Sequence, residues 1–384
     1  MIEHYLDWAA SAPPYVDILL EAADMAAKTY GNPSSPHGAG KAARRLLDDA
    51  RTSLAGIIGA SYKQIVFTSG GTEADSIPLL SLLRKGKPVS IVIGQTEHPA
   101  VYEQASLLEE LGVTVLRVKP CKDGIFDPNS LADAIRKDTA LVAMMAVNNE
   151  TGAIQPIESI VKAVAMASRD APRPPFFHCD AVQALGTIGF DSEALGVDGA
   201  AFSGHKLGGP RGIGALYLKH PLRPLTIGGG QESGHRPGTH NTLGAWAFAQ
   251  AAKRNKESLA YHHAKARLLE CKLLQGITAI QGATVLPFSR KPGEDRFSPF
   301  IVSVAFPGLG GEVMTRLLDA AGMAVSTGSA CSSGKKDRRV LDAMGIDADT
   351  AFSSIRVSIG RDTSEDTISR FLELTSDCYT RYKV

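Results

Sequence analysis

Lys206 closes the run Ala201-Phe202-Ser203-Gly204-His205-Lys206, and Asp180 closes an earlier one, Pro175-Phe176-Phe177-His178-Cys179-Asp180. Each run is a short apolar stretch ending in polar residues, which predicts a strand that delivers its last side chains to a sheet edge. A strand-end lysine with an acid one strand away suits pyridoxal phosphate (PLP). The lysine bonds the aldehyde, and the acid keeps the pyridine nitrogen protonated so that the ring withdraws electrons. An ordinary ion pair at a sheet edge is the competing reading of the same two residues.

Other residues extend the pattern. Gly70-Gly71-Thr72 follows the apolar Ile65-Val66-Phe67 and can seat a phosphate on a helix start, although alone it reads equally as a capped turn. The Gly-Lys-Ser/Thr ending of a nucleotide loop is absent. His98 is either a satisfied surface histidine or a ring lying over a flat cofactor. Asn149 and Gln183 either cap helices or hydrogen-bond a ring oxygen. Cys331 sits in Ser326-Thr327-Gly328-Ser329-Ala330-Cys331-Ser332-Ser333-Gly334, with Lys335, Lys336, Arg338 and Arg339 following. Nearby cations raise the thiolate fraction of such a cysteine, which points to sulfur chemistry on an amino acid; an incidental exposed thiol is the alternative. Arg356 after Ser353-Ser354 is either a bidentate carboxylate grip or a surface arginine. His178-Cys179-Asp180 is rejected as a metal set, because alternation along a strand splits it between two faces.

These residues need a frame. Apolar runs at 65–67, 90–93, 113–116, 141–145, 176–177, 200–202 and 215–218 are separated by helix-length segments. That alternation predicts an α/β fold with a largely parallel sheet covered on both faces, and ligands in such sheets bind beyond the carboxyl ends of the strands. Val16, Leu19, Leu20, Ala23 and Ala27 recur at helical spacing, as do Ala43, Leu46, Leu47, Ala50, Leu54, Ile57 and Ile58. From about residue 256 the texture changes: a helix near 257–275, a strand at 301–306, a helix at 312–321 and a strand at 355–359 predict a smaller α/β domain. The expected division is a large domain over 15–255 and a small one made of 1–14 and 256–384, the latter carrying the Cys331 loop. The polar stretch Ser289–Ser298 reads as a mobile surface loop.

The totals exclude several classes. The chain has 384 residues, 44% of them hydrophobic, enough for a sizeable core. Its 41 basic residues nearly balance 40 acidic ones, which argues against nucleic acid or a membrane surface as a main partner. Five scattered cysteines without a CxxC pair argue against a disulfide framework or structural zinc. No apolar run reaches the roughly 18 residues of a membrane span. With no leader-like N-terminus, the expected location is cytoplasmic.

The ordered motifs resemble the cysteine desulfurases, PLP enzymes of the class V aminotransferase-like branch of fold type I. The resemblance runs nearly end to end, through Tyr5-Leu6-Asp7, Gly31-Asn32-Pro33-Ser34-Ser35, Thr68 to Glu73, Thr96-Glu97-His98, Val147 to Gly152, His178 to Gln183, Ser203 to Lys206, Arg236-Pro237-Gly238-Thr239, Gly328 to Gly334 and Ser354 to Arg361. It implies a mostly parallel seven-stranded sheet sandwiched by helices in the large domain. Lys206 would bond the cofactor, Asp180 would hold the ring nitrogen, and His98 would stack on the ring and share in proton transfer. Asn149 and Gln183 would touch the ring oxygen. Gly71, Thr72, Ser203 and His205 would hold the phosphate, joined by Thr239 of the second subunit of a homodimer. Asn32 and Arg356 would bind the carboxylate of L-cysteine, and Cys331 would take its sulfur as a persulfide for a sulfur-acceptor protein such as an iron–sulfur scaffold or thiolation protein. A selenocysteine lyase, another class V PLP transferase and a catalytically quiet sulfur-transfer scaffold are the rival readings. Asp75, Ser233 and the basic run 335–339 depart from the family's usual residues.

Overall fold

The computed structural model describes residues 4–86, 89–328 and 338–383. Its strands, in chain order, are β1 (His4–Tyr5), β2 (Ile65–Thr68), β3 (Ser90–Gly94), β4 (Thr114–Val118), β5 (Thr139–Met145), β6 (Phe176–Asp180), β7 (Gly199–Ser203), β8 (Gly214–Leu218), β9 (Thr284–Leu286), β10 (Ile301–Ala305), β11 (Met323–Ala324) and β12 (Ser354–Ser358). Seven form the main sheet in the order β2-β8-β7-β6-β5-β3-β4. Every pair from β4 to β7 is parallel, while β8 runs against both β7 and β2. This is the mostly parallel seven-stranded sheet expected. Its inner strands are unbroken apolar runs because both faces are covered: Ile91, Val92 and Ile93, like Val142, Ala143 and Met144, are fully buried.

Helices α1 (Val16–Lys28), α2 (Gly38–Ile57), α3 (Gly71–Leu80) and α4 (Pro99–Glu110) precede or follow these strands. The buried residues of α2 include Ala43, Leu47, Ala50 and Leu54, as their spacing predicts, with Gly40 and Ala55 beside them. Helix α1 forms where predicted but turns its other face inward: Ile18 and Ala22 are buried, whereas Val16, Leu20, Ala23 and Ala27 are exposed. Asp17, Glu21, Asp24 and Lys28 form a charged stripe on α1, but its alanines leave apolar surface on both sides of that stripe, so neighbours such as the helix Thr242–Ala279 choose the face that is buried.

That helix is 38 residues long, twice the span its amphipathic part predicts. Its first turns, Gly244 to Ala252, are buried almost without interruption, so they carry no period to read. It runs on past residue 255 toward an antiparallel sheet ordered β12-β10-β9. The chain start joins this region, β1 pairing in parallel with β11.

Ser289–Ser298 lies on the surface as expected, with Ser289, Lys291, Pro292, Gly293, Asp295 and Arg296 exposed, yet it is pinned at two points. Arg290 and Phe297 within it are buried. Arg290 Nη2 lies 3.2 Å from Glu270 Oε1, both side chains fully enclosed. Arg290 also donates to the carbonyls of Thr151, Ile301 and Ser298. A charge so enclosed requires this many partners, and they anchor the segment.

Candidate active site

The carboxyl ends of the main-sheet strands open on a cavity of about 570 Å³. Its wall includes Lys206, Asp180, His98, Asn149 and Gln183, together with Gly71, Thr72, Ser203, His205 and Arg356. Strand β7 ends at Ser203, and the tight turn Gly204–Leu207 that follows carries His205 and Lys206. Lys206 Nζ donates to the carbonyl oxygens of Ala9, at 2.5 Å, and Ala10, at 2.8 Å. Gln183 Nε2 donates to the same Ala9 oxygen at 2.9 Å. Sequence reasoning missed this role of the chain start, because backbone carbonyls leave no mark in residue type.

Strand β6 ends at Asp180, whose Oδ1 accepts the N–H of Val182 at 2.9 Å. Burial pushes the Asp180 carboxyl above its ordinary range, while His98, the Val182 N–H and Lys206 pull it back. His98 caps α4, its Nδ1 accepting the N–H of Ala100 at 3.1 Å. This bond assigns the hydrogen of the neutral ring to Nε2. Burial lowers the His98 pKa; Asp180 opposes that, and the cations Lys206, Arg339 and Arg356 add to it. His205 is pushed down to about 4 by burial, with Lys206 and Arg211 contributing.

Behind Asp180 lies a buried acid cluster whose members appear in the sequence motifs but whose grouping the residue patterns did not predict. Asp75, one turn into α3, has Oδ1 2.9 Å from His178 Nε2. Glu97 accepts the N–H of Met145 on Oε1 at 2.8 Å, and its Oε2 has no partner among the described residues. Burial drives both carboxyls well above the usual range, and repulsion from Asp180 adds to it. His178 is pushed down to about 3 by burial alone. Several carboxylates sharing one dry space cannot all be charged. Asp75 was traceable in principle, since it stands four residues after Gly71 and so on the same helix face.

Arg356, on β12, donates through Nη1 to the carbonyls of Asn149 at 2.8 Å and Gly328 at 3.4 Å. Its Nη2 meets Asp7 Oδ1 at 2.9 Å, and its buried Nε has no partner among the described residues. A guanidinium has five N–H donors, so among the described residues one edge keeps donors for a planar anion. Asn32 is exposed and accepts the N–H of Ser34; neither it nor the exposed Thr239 lines the cavity. Cys331 lies outside the described residues, although Gly328 and Arg339, on either side of it in sequence, both reach the cavity wall.

The residues present fit PLP. They offer one amine, one buried carboxyl with an oxygen already fixed, and a phosphate seat of helix-start N–H groups with hydroxyls from Thr72 and Ser203. The backbone approach at that seat is close: a Cβ on Gly71 would stand 2.7 Å from Val182 Cγ2.

A parallel sheet with an amine and an acid at one rim defines a class of α/β proteins built around PLP. The family model of Aminotransferase class-V matches residues 4–371, and the chain belongs to that family. It is 36% identical over 383 residues to the cysteine desulfurase IscS of Anaeromyxobacter sp., covering 96% of this chain and 91% of that protein. It is 35% identical to the IscS-like cysteine desulfurase of Mycobacterium tuberculosis, covering 98% and 96%. Among solved structures, a NifS-like protein superposes with a TM-score of 0.89 at 33% identity, covering 98% and 99%. SspA in complex with cysteine does so with a TM-score of 0.78 at 29% identity, covering 93% and 99%.

Proposed function

We propose that this protein is a PLP-dependent cysteine desulfurase that converts L-cysteine to L-alanine and transfers the sulfur to Cys331. The observation that carries this reading is the meeting of Lys206, Asp180, His98 and Arg356 in one cavity wall. PLP, when bound, supplies an electron-withdrawing ring that stabilises negative charge at the substrate α-carbon. Lys206 would bond it, Asp180 would hold its ring nitrogen, His98 would cover its face, and Asn149 and Gln183 would meet its ring oxygen. Gly71, Thr72, Ser203 and His205 would seat its phosphate.

The protein's own groups do the rest. Arg356 grips the substrate carboxylate with its uncommitted edge, whereas Asn32 would need an approach from outside this cavity wall. His98 positions a proton at Nε2. The Cys331 thiolate attacks the substrate sulfur, the carbon–sulfur bond breaks, the carbon takes a proton, and alanine leaves. Cys331 keeps the sulfur as a persulfide, which a sulfur-acceptor protein then removes.

Thr239 is exposed and away from its own cavity, which supports a homodimer in which it completes the phosphate seat of the second subunit. Residues 15–255 form the large cofactor-binding unit in this reading, and 1–14 with 256–384 the small one, with the helix Thr242–Ala279 crossing between them. The reading places the protein in the cytoplasm. No helix among the described residues is long and apolar enough to cross a membrane.

The test is release of alanine and sulfide from L-cysteine by wild type, Cys331→Ser and Lys206→Ala. Cys331→Ser should stay yellow and transfer no sulfur, and Lys206→Ala should lose the visible band of the bonded cofactor. Desulfuration by Cys331→Ser at the parental rate would overturn the role of Cys331. Colourless wild-type protein after incubation with PLP would overturn the whole reading.

A further inference from the structure

We propose that Arg339 is a positioning residue for His98, clasping the turn that presents this ring from the outer wall of the cavity. The inference rests on the reading of the cavity as the reaction site.

Arg339 opens the short helix Arg339–Ala343 and lines the cavity. Its Nη1 donates to the carbonyl of Gln95, and its Nη2 donates to that of Glu97 at 2.6 Å. Both carbonyls belong to the turn between β3 and α4, whose next residue is His98. On the far side of His98, the Arg339 guanidinium lies 3.9 Å from the ring centroid of Tyr102. Tyr102 in turn gives its N–H to the carbonyl of His98 at 3.0 Å. One side chain from the far end of the chain therefore grips the backbone just before His98 and the aromatic ring one helical turn after it. Beside it, Arg338 Nη1 donates to the carbonyl of Thr327 at 2.5 Å, which fixes the backbone from which Arg339 reaches.

The grip has an electrostatic side. The charged groups that bear on His98 are Asp180 from β6, Lys206 from the turn after β7, Arg356 from β12 and Arg339 itself. Glu103, on His98's own helix, also lines the cavity. Asp180 favours the imidazolium and the three cations oppose it. Protonation must also break the bond between His98 Nδ1 and the Ala100 N–H, since an imidazolium has no acceptor nitrogen. Arg339 thus does two things: it fixes the ring's backbone and helps to keep the ring neutral. Lysine could keep the charge but not the grip, because an ammonium lacks the planar fork that reaches two carbonyls and stacks on a ring.

The experiment follows the histidine ring signals by NMR in the cofactor-free full-length protein, with His98→Asn identifying the His98 signal. Arg339→Gln should raise the His98 titration midpoint by at least about half a pH unit. Arg339→Lys should leave the midpoint near the wild-type value while kcat for alanine release falls about tenfold at unchanged KM for cysteine. An unmoved midpoint in Arg339→Gln overturns the inference. Should that variant not fold, unaltered kcat in Arg339→Lys overturns it. Failure of wild type itself to release alanine would sink the proposed activity, while the NMR midpoint would still judge Arg339 on its own.

Discussion

His178 Nε2 lies 2.9 Å from Asp75 Oδ1, and neither side chain is more than 1% exposed. The pair joins α3 to β6 two residues before Asp180, beneath the cavity that both acids line. Burial keeps Asp75 protonated far above the 3.8 of a free aspartate. Its contribution to stability is therefore complete below about pH 4 and is lost as pH rises through the folded value. Asp75→Asn removes that loss while keeping a polar partner for His178. Relative to wild type, the variant should gain stability as pH rises above about 4, where ionisation of Asp75 begins to oppose the wild-type fold. Urea midpoints above that pH check it, and parallel curves for the two proteins would show that Asp75 does not titrate as described. His178 acts with the opposite sign. Unfolded, it takes a proton near 6.5; folded, not until about 3, so its share of the stability falls as pH drops through that window.

Gly360 is a contact point for the chain start. A Cβ there would stand 1.8 Å from Trp8 Cδ2, and Trp8 precedes the Ala9 whose carbonyl holds Lys206 and Gln183. Gly360→Ala should destabilise the fold by about 1–3 kcal/mol through overpacking and weaken PLP binding, as read by fluorescence titration. Trp8→Leu in the same protein should restore stability. If the single variant binds PLP and unfolds like wild type, Trp8 does not press on that glycine.

Arg290 and Glu270 make a second point of control. Burial lowers the Arg290 pKa to about 10, with Glu270 opposing the shift, so the side chain stays charged at neutral pH. Arg290→Met leaves Glu270 charged or protonated in a dry site and should cost about 3–5 kcal/mol. Removing both charges with Glu270→Leu should recover part of that loss. Denaturant midpoints of the two single variants and the double variant measure the coupling.

Sequence patterns revealed the strands of the main sheet best, because a strand sealed on both faces is a short apolar run between turns, whatever its neighbours. They also found the side chains at the strand ends, from Thr72 to Lys206, because chemistry-bearing residues follow those runs directly. Contacts between distant segments were not legible in the same way. The Ala9 and Ala10 carbonyls, the Asp7–Arg356 pair and the Arg339 clasp join residues hundreds of positions apart, and no local spacing encodes them. The anchoring of Ser289–Ser298 escaped notice for the same reason: its polar composition is that of the surface loop it forms, and the buried partner of Arg290 sits on another element. The inward face of α1 was misassigned because alanine leaves more than one side able to pack.

The parallel pairing of β1 with β11 and the salt bridge from Asp7 to Arg356 bind segments that lie more than 300 residues apart in the chain. While the protein is still emerging from the ribosome, Lys206 is already present but the strand that steadies its carbonyl partners is not. A nascent chain cannot finish the pocket before β11 and β12 have left the exit tunnel. Firm seating of PLP at Lys206 should therefore depend on β11 and β12 having packed against residues 4–7.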